Sequence, residues 1–265
     1  MSILKIEFTP AGTVPPLGYR VKYRVAGSAG AYTTVTPNPV LNLAINGTDY
    51  FFEITGLVAG VSYEGTMEGQ CGPGIFSGLA PFTGAVSCLT GQPYQGGKIA
   101  YVFKPGDTGY VAGQCHGIVA AYSDQGRVQW GCAGTNLTGA QGTAIGTGLQ
   151  NTLDILAGCS TPGIAARLCA EYTITENGVV FDDWFLPSIE ELKMLCAAKT
   201  VIGNFNTVFN FSLLPFYWCS TEPDTFTGNG MGSNVVQILN FSDGCIPDAG
   251  INKYSTALVR PIRYF

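Results

Sequence analysis

Charge is scarce in this sequence. Only 12% of the 265 residues are Asp, Glu, Lys or Arg, one histidine is present, and the net charge is −5. No Lys/Arg cluster occurs anywhere. Binding to nucleic acid or to an anionic membrane surface needs a basic patch, so neither partner is expected. Long apolar runs are missing as well: none approaches the roughly 20 residues of a spanning helix, and no membrane insertion is expected. The opening residues, MSILKIEFTP, have neither the basic region nor the apolar stretch of a signal peptide, so synthesis and folding in a cytoplasm are expected.

Metal-ligand spacing is absent too. The nine cysteines contain no Cys-x-x-Cys motif. They read mainly as buried free thiols, which pack as small hydrophobes. The alternative is one or two disulfides formed after release from the cell, with Cys71–Cys88 and Cys159–Cys169 as the best pairs. Four Asn-x-Ser/Thr matches, at Asn46, Asn136, Asn210 and Asn240, carry no weight without secretion. What the chain does have is 36 glycines and 13 tyrosines, the composition of a loop-rich, β-leaning protein.

From Leu4 to about Thr90 the pattern is one of short alternating strands. LKIEF is followed by the turn at Pro15 and Pro16, and then by YRVKYRV, where Tyr19, Val21, Tyr23 and Val25 share one face. YTTV, FFEITGL and VSYEGTMEG continue the series, a spacing that predicts a sandwich. The YRVKYR strand and ITGLVAGVSYEGTMEG, with Leu57 and Tyr63 as a leucine-turn-tyrosine corner, resemble a fibronectin type III domain. LKIEF then takes the place of that family's second strand, and the first strand is missing. An uncovered edge invites pairing with another chain. The expectation is that Met1–Pro10 lies against a partner subunit; a short edge left open is the alternative.

TGQPYQGG carries the turn residues of a linker, placed at residues 91–97. The second part of the chain, 98–265, starts with strands at GGKIAYVF, HGIVAAY and GRVQWGC. A loop from Gly134 to Gly148 precedes two helical pieces. One is expected near Asn151. The other is expected at Thr161-Pro162, with a threonine cap, proline at the first helical position and Ile164, Leu168 and Tyr172 as its buried stripe. The strongest local signal is DDWFLPSIEELKML. Ser188 and Glu191 form a capping box, Pro187 blocks any earlier helix start, and Ile189, Leu192, Leu195 and Cys196 make one helical stripe. YWCSTE, NVVQILNF and ALVRPIRYF follow as strands, the last expected to pair with the start of the domain.

Taken together, GGKIAYV, HGIVAA, QWG, GTAIGTG, DDWFLPSIEEL, YWCSTE and VRPIRYF resemble the C-terminal domain of collagen-like adhesins, found in bacterial surface proteins and phage structural proteins. That family is a variant of the C-type lectin fold and is similar in outline to the formylglycine-generating enzymes. The expected fold class is therefore mainly β with α+β: a fibronectin III-like β-sandwich over 1–90, followed by a C-type-lectin-like α+β domain. Trp130, Trp184, Ser188, Glu191 and Trp218 are expected to form its rigid frame.

Several motifs invite a chemical reading. His116 would pair with Cys115 or Cys132 in a nucleophilic reading, but no orienting carboxylate is evident, and a structural role is expected. An oxidase of the formylglycine-generating kind would need a cysteine pair; the only late cysteines, Cys219 and Cys245, lie outside that family's motif. Gly142 to Thr152 has glycines ahead of a helix and can cradle a phosphate, yet it departs from both nucleotide-binding patterns. Glu222-Pro223-Asp224 resembles the Glu-Pro-Asn sugar motif of calcium-dependent lectins. Calcium wants six to eight oxygens, and Glu222, Asp224, Asn229, Asn240 and Asp243 can contribute. No cofactor is expected, with calcium as the alternative. Asp182-Asp183 is read as a turn, since neighbours on an extended chain face opposite ways.

The segment from Thr225 to Tyr254 is polar and rich in Gly and Asn around a strand. Phe226, Asn229, Asn234, Gln237, Asn252, Lys253 and Tyr254 are adaptable contacts of the sort that make a recognition face, with ordinary solvated loops as the bland alternative. The function expected from the resemblance is that of a non-enzymatic phage virion protein, a head or tail fibre or decoration. The N-terminal domain would dock on virion subunits, and the C-terminal domain would bind a host-surface glycan or protein from the virion exterior. A bacterial surface adhesin is the alternative. A homo-oligomer is expected because weak single sites gain from multivalency.

Overall fold

A computed structural model describes residues 3–8, 19–35, 42–43, 50–55, 57, 61–72, 75–85, 88–112, 115–208, 214–223, 234–242, 244–245 and 247–265. The chain forms two compact units. One is Met1–Cys88 with Gly113–Cys115, and the other is Leu89–Ala112 with His116–Phe265. Strands outweigh helices, so the protein is mainly β.

The first unit holds β1 (Ile3–Phe8), β2 (Tyr19–Val25), β3 (Thr33–Val35), β4 (Asn42–Leu43), β5 (Tyr50–Thr55), β6 (Ser62–Gly72) and β7 (Ile75–Ala85). They make two antiparallel sheets, of order β1-β5-β4 and β3-β2-β6-β7. The two-residue period is visible in β6. Tyr63, Gly65, Met67 and Gly69 are buried, while Glu64, Thr66 and Glu68 face outward. Across the β2–β6 pair the outward Arg24 and Glu64 lie opposite each other and bond at 2.7 Å, as Arg20 and Glu68 do at 2.6 Å. Val21 and Leu57 are buried, and Tyr63 packs edge-on to Tyr23 at 5.9 Å; Val25, at the strand end, is exposed. Among the described residues β1 pairs with β5 alone and is an edge strand.

The second unit continues with β8 (Pro93–Tyr94), β9 (Gly97–Val102), β10 (Gly117–Ala121), β11 (Arg127–Gln129), α1 (Gly148–Gly158), α2 (Ala165–Ala170), β12 (Ile174–Glu176), β13 (Val179–Phe181), α3 (Ile189–Ala197), α4 (Lys199–Ile202), β14 (Phe216–Trp218), β15 (Val235–Asn240), β16 (Pro247–Asn252), β17 (Thr256–Leu258) and β18 (Ile262–Tyr264). Its sheets have the orders β18-β10-β9-β8 and β11-β17-β14-β15-β16, with β12–β13 as a separate ribbon. The C-terminal strand does return to the start of the unit: β18 pairs antiparallel with β10, next to β9. Residues 91–97, read as a linker, instead belong to this unit, where Pro93 and Tyr94 pair with Lys98 and Gly97.

α3 begins where its cap predicts. Ser188 accepts from Glu191 N, the Glu191 carboxylate accepts from Ser188 N, and Ile189, Leu192, Leu195 and Cys196 are all buried. They pack with Phe185, Tyr217, Leu239 and Ile262. A second core cluster gathers Trp130, Leu137, Ile155, Ile164, Trp218 and Val236.

The other two helix starts differ from expectation. α1 begins at Gly148, ahead of Asn151. α2 begins at Ala165 behind Ile164, because Gly163 takes the left-handed φ of +67° and breaks any helix running from Pro162. Within α2 it is Ala165, Ala166 and Cys169 that are buried, while Leu168 and Tyr172 are half-buried.

The cysteine pairing differs as well. Cys88 bonds Cys115, Cys132 bonds Cys159 and Cys196 bonds Cys245, with Cα–Cα distances of 6.1, 5.8 and 5.8 Å. The reading of the cysteines mainly as buried free thiols is corrected for these six, and the alternative pairs Cys71–Cys88 and Cys159–Cys169 are excluded as well. Cys169 and Cys219 are buried free thiols. Chain proximity misled here, because the folded backbone brings together cysteines 27 and 49 residues apart.

Candidate functional site

The β15–β16 hairpin and the turn after it carry the described part of the expected recognition face. Val235, Val236, Ile238 and Leu239 face the core, while Gln237 and Asn240 are half-buried. The register shifts between Val236 and Ile238, and Gln237 sits in that irregularity, which turns it away from the core. Asn252 ends β16 opposite Val235, at the open end of the hairpin. Its carbonyl accepts from Ser255 N at 2.8 Å and its side chain from Tyr254 N at 3.2 Å, which makes a tight turn. Tyr254 stands at the tip, 61% exposed. Asn234, half-buried, leads into β15 and accepts from Lys253 N at 2.8 Å. Phe226 and Asn229 lie outside the described residues.

Lys253 is a correction. Expected as a surface contact, its side chain has no exposure at all. Its ammonium donates to Glu222 Oε1 at 2.5 Å and to Thr135 O at 2.6 Å, and stands 4.7 Å from the centre of the Trp130 ring. Its carbonyl accepts from Trp130 N and Gly131 N at 3.0 and 3.2 Å. Burial pushes the Lys253 amine below its ordinary value, and the Glu222 carboxylate pulls it back up. The lysine alternates inward where Asn252 and Tyr254 turn outward, so one side chain fastens the turn 252–255 to the loop around Thr135.

Glu222 is thereby accounted for. Its other oxygen accepts from Leu137 N at 2.8 Å. Both oxygens hold the protein to itself, which does not fit the calcium reading of this residue. Asp224 and Asp243 lie outside the described residues. Among the described residues, no group of three or more His, Cys, Asp or Glu is placed to hold a metal.

Beside the turn runs the exposed stretch Ala133, Gly134, Thr135 and Asn136, with Asn234 next to Gly134. These loop residues belong to the same surface, and sequence reasoning missed them. The only signal for them was the Gly-Thr-Asn composition after Trp130.

Of the expected frame residues, Trp130 lies against Lys253 below this face. Trp130 Nε1 donates to Cys219 O and Trp218 Nε1 to Val128 O, both at 2.8 Å, which cross-ties β14 to β11 and its following residue. Trp184 Nε1 donates to Phe181 O at 3.0 Å, and Tyr172 packs on its ring. Glu191 receives Ser188 N at 2.7 Å, Gly146 N at 2.8 Å and the Tyr264 hydroxyl. Burial pushes its carboxyl above the usual range, and those three donors pull it down. Ser188 Oγ also donates to Ala144 O at 3.0 Å, so the capping box clamps the glycine loop as well as starting α3.

That clamp answers the phosphate reading of Gly142–Thr152. The Gly146 amide already points at Glu191, and the Gly142 amide at Asn151 Oδ1, 3.0 Å away. The Glu191 carboxylate lies against Gly148 at the start of α1 and supplies the anion that a helix N-terminus favours.

The remaining chemical motifs are also engaged. His116 Nδ1 lies 3.1 Å from Phe265 O. Its possible partners Cys115 and Cys132 are in disulfides. Cys219 and Cys245 are not a pair: Cys245 is bonded to Cys196, and Cys219 donates to Gln237 O at 3.3 Å, its thiol pushed up to about 12 by burial. Asp183 grips Arg263 with both oxygens, at 2.6 and 2.9 Å, while Asp182 faces solvent. The Asp124 carboxylate accepts from buried Arg260 at 2.7 Å and from Tyr217 at 2.8 Å, a network sequence reasoning did not foresee.

No protein-family model matches this chain, and no curated protein matches it either.

Proposed function

We propose that this chain is a non-enzymatic structural protein of a phage virion, a head or tail fibre or decoration subunit that binds the host surface. In this reading the first unit is a fibronectin III-like sandwich that docks on neighbouring virion subunits. The second is a C-type-lectin-like domain that presents Asn234, Gln237, Asn252 and Tyr254 to a host glycan or protein. The observation that supports it most is the set of three disulfides, Cys88–Cys115, Cys132–Cys159 and Cys196–Cys245. Such bonds persist in oxidising surroundings, where a virion exterior works and a bacterial cytoplasm does not. A second support is the use made of two buried acids and one half-buried one. Glu191, Glu222 and Asp124 hold loops and strands in place and leave the outward amides and Tyr254 for contact.

A bacterial surface adhesin shares the oxidising surroundings and is the alternative. Mass spectrometry of purified particles separates the two. Recovery of the chain in stoichiometric amount with the virion is expected; recovery only in a bacterial envelope fraction would support the adhesin. Docking through β1 is tested by deleting residues 1–10: loss of incorporation into particles is expected, and normal assembly would sink that role. Light scattering of the purified chain tests the expected homo-oligomer.

A further inference from the structure

We propose that the Cys196–Cys245 disulfide is a site of thiol–disulfide exchange, opened by attack of an external thiolate on the Cys245 sulfur. The two ends of the bond have different surroundings. Cys196 lies in α3 and is 1% exposed, whereas Cys245 is half-buried in the turn after β15. An incoming thiolate therefore reaches Cys245 Sγ and expels Cys196 Sγ. The Lys199 ammonium stands 4.0 Å from Cys196 Sγ and is held there by a 2.6 Å hydrogen bond to Phe241 O. A cation so placed stabilises the departing thiolate, and a better-stabilised thiolate leaves faster.

The step balances. The attacking sulfur bonds Cys245 Sγ, and the electron pair of the old sulfur–sulfur bond departs with Cys196. A second external thiolate then attacks the mixed disulfide and releases Cys245. The protein bond is reduced to two thiols once protons are taken from water, and the two external thiols are oxidised to their disulfide.

Cys132–Cys159 has a similar asymmetry, with Cys159 1% exposed and Cys132 half-buried. Cys196 in the last turn of α3 and Cys159 just after α1 both lie at the carbonyl end of a helix, which opposes a developing negative charge. The difference is the cation: Lys199 stands at Cys196 Sγ itself, whereas Arg167 donates to the Cys159 carbonyl at 3.3 Å. Lys199 is thus a positioning residue for the Cys196–Cys245 bond. The Cys196–Cys245 bond ties α3 to the chain just after β15, at the end of the hairpin opposite to Asn252 and Tyr254, so the exchange chemistry stands apart from the function proposed above.

The test uses the full chain, limiting dithiothreitol, an iodoacetamide quench and peptide mapping. Cys196 and Cys245 are expected to be alkylated before Cys132 and Cys159. Lys199→Met is expected to slow opening of the Cys196–Cys245 bond roughly three- to ten-fold, with Lys199→Arg retaining the rate. Cys88–Cys115, with both cysteines half-buried, serves as the control and keeps its rate in Lys199→Met. Opening of Cys132–Cys159 first, an unchanged rate in Lys199→Met, or an equal slowing of Cys88–Cys115 would each overturn the proposal. The order in the unmodified chain decides alone if Lys199→Met does not fold.

Discussion

A lysine ammonium without exposure persists in a fold only with a carboxylate beside it, and Lys253 has Glu222. Removing one partner leaves the other charge buried and uncompensated. Lys253→Ala or Glu222→Ala is therefore expected to lower stability by about 3–5 kcal/mol, measured as the shift in urea unfolding. The double change to apolar residues of similar size should recover much of that loss. Lys193→Ala breaks only the part-exposed pair with Glu190 and should cost no more than about 1 kcal/mol. Four tyrosines set the alkaline limit. Burial, reinforced by Asp107 and Glu176, raises Tyr101 and Tyr122 to about 12. Tyr217 and Tyr264 are also raised by burial, beside Asp124 and Glu191. The native chain keeps phenolic protons that the unfolded chain releases near pH 10, so this stability is complete below about pH 10 and fades as the pH rises through the folded values. Lys253 works the other way, because its folded value lies below the unfolded one and stability gains as the pH climbs through that interval. Melting temperature is expected to fall above pH 10, with phenolate absorbance rising together with unfolding; a gradual titration at constant melting temperature would contradict it.

At the scale of elements, α3 and α1 meet at Glu191. Ser188→Ala removes the hydroxyl that accepts from Glu191 N and should cost about 1 kcal/mol. Gly148→Ala tests the same junction from the other side. Intrinsic propensity favours alanine in a helix by about 1 kcal/mol. Here a Cβ would meet Glu191 Oε2, Ser188 N at 2.8 Å and Leu186 O at 3.0 Å, so destabilisation is expected in thermal unfolding. The cap of α3 was legible in sequence because Ser188, Ile189 and Glu191 interact within one helical turn. The start of α2 was not, because a cap and a proline at Thr161-Pro162 look the same whether or not Gly163 goes left-handed. Alternation along β6 was equally legible, since a strand's period is fixed by its own backbone. In β15 the irregularity at Gln237 depends on its partner strand and could not be read from NVVQILN.

For the molecule as a whole, the face around Tyr254 joins residues far apart in the chain. Thr135 and Lys253 are 118 positions apart and bond at 2.6 Å. Tyr254→Ala with Asn252→Ala is expected to weaken attachment of the labelled protein to host cells at least about tenfold, the effect of losing roughly 1.4 kcal/mol of contact. Tyr254→Ala alone should hardly move the melting temperature, because Tyr254 is exposed, whereas Asn252→Ala also removes the turn bond to Tyr254 N. Lys253→Ala should impair both attachment and stability. Undiminished attachment in the Tyr254 and Asn252 variant would place recognition elsewhere.

The sequence alone determined the β-rich composition, the two-residue alternation and the capping box at Ser188. These follow from hydrogen bonds and periodicities that act over a few residues. Only the tertiary structure decided which cysteines pair, that Lys253 turns inward, and that Glu222 and Glu191 bind the chain's own amides. Those outcomes depend on backbones brought together from distant positions, where pairing a buried charge or sulfur outweighs what its sequence neighbours suggest. At residue 253 the difference is plain. An isolated lysine between Asn252 and Tyr254 looks solvated, and only the approach of Glu222, Thr135 and Trp130 makes its burial favourable.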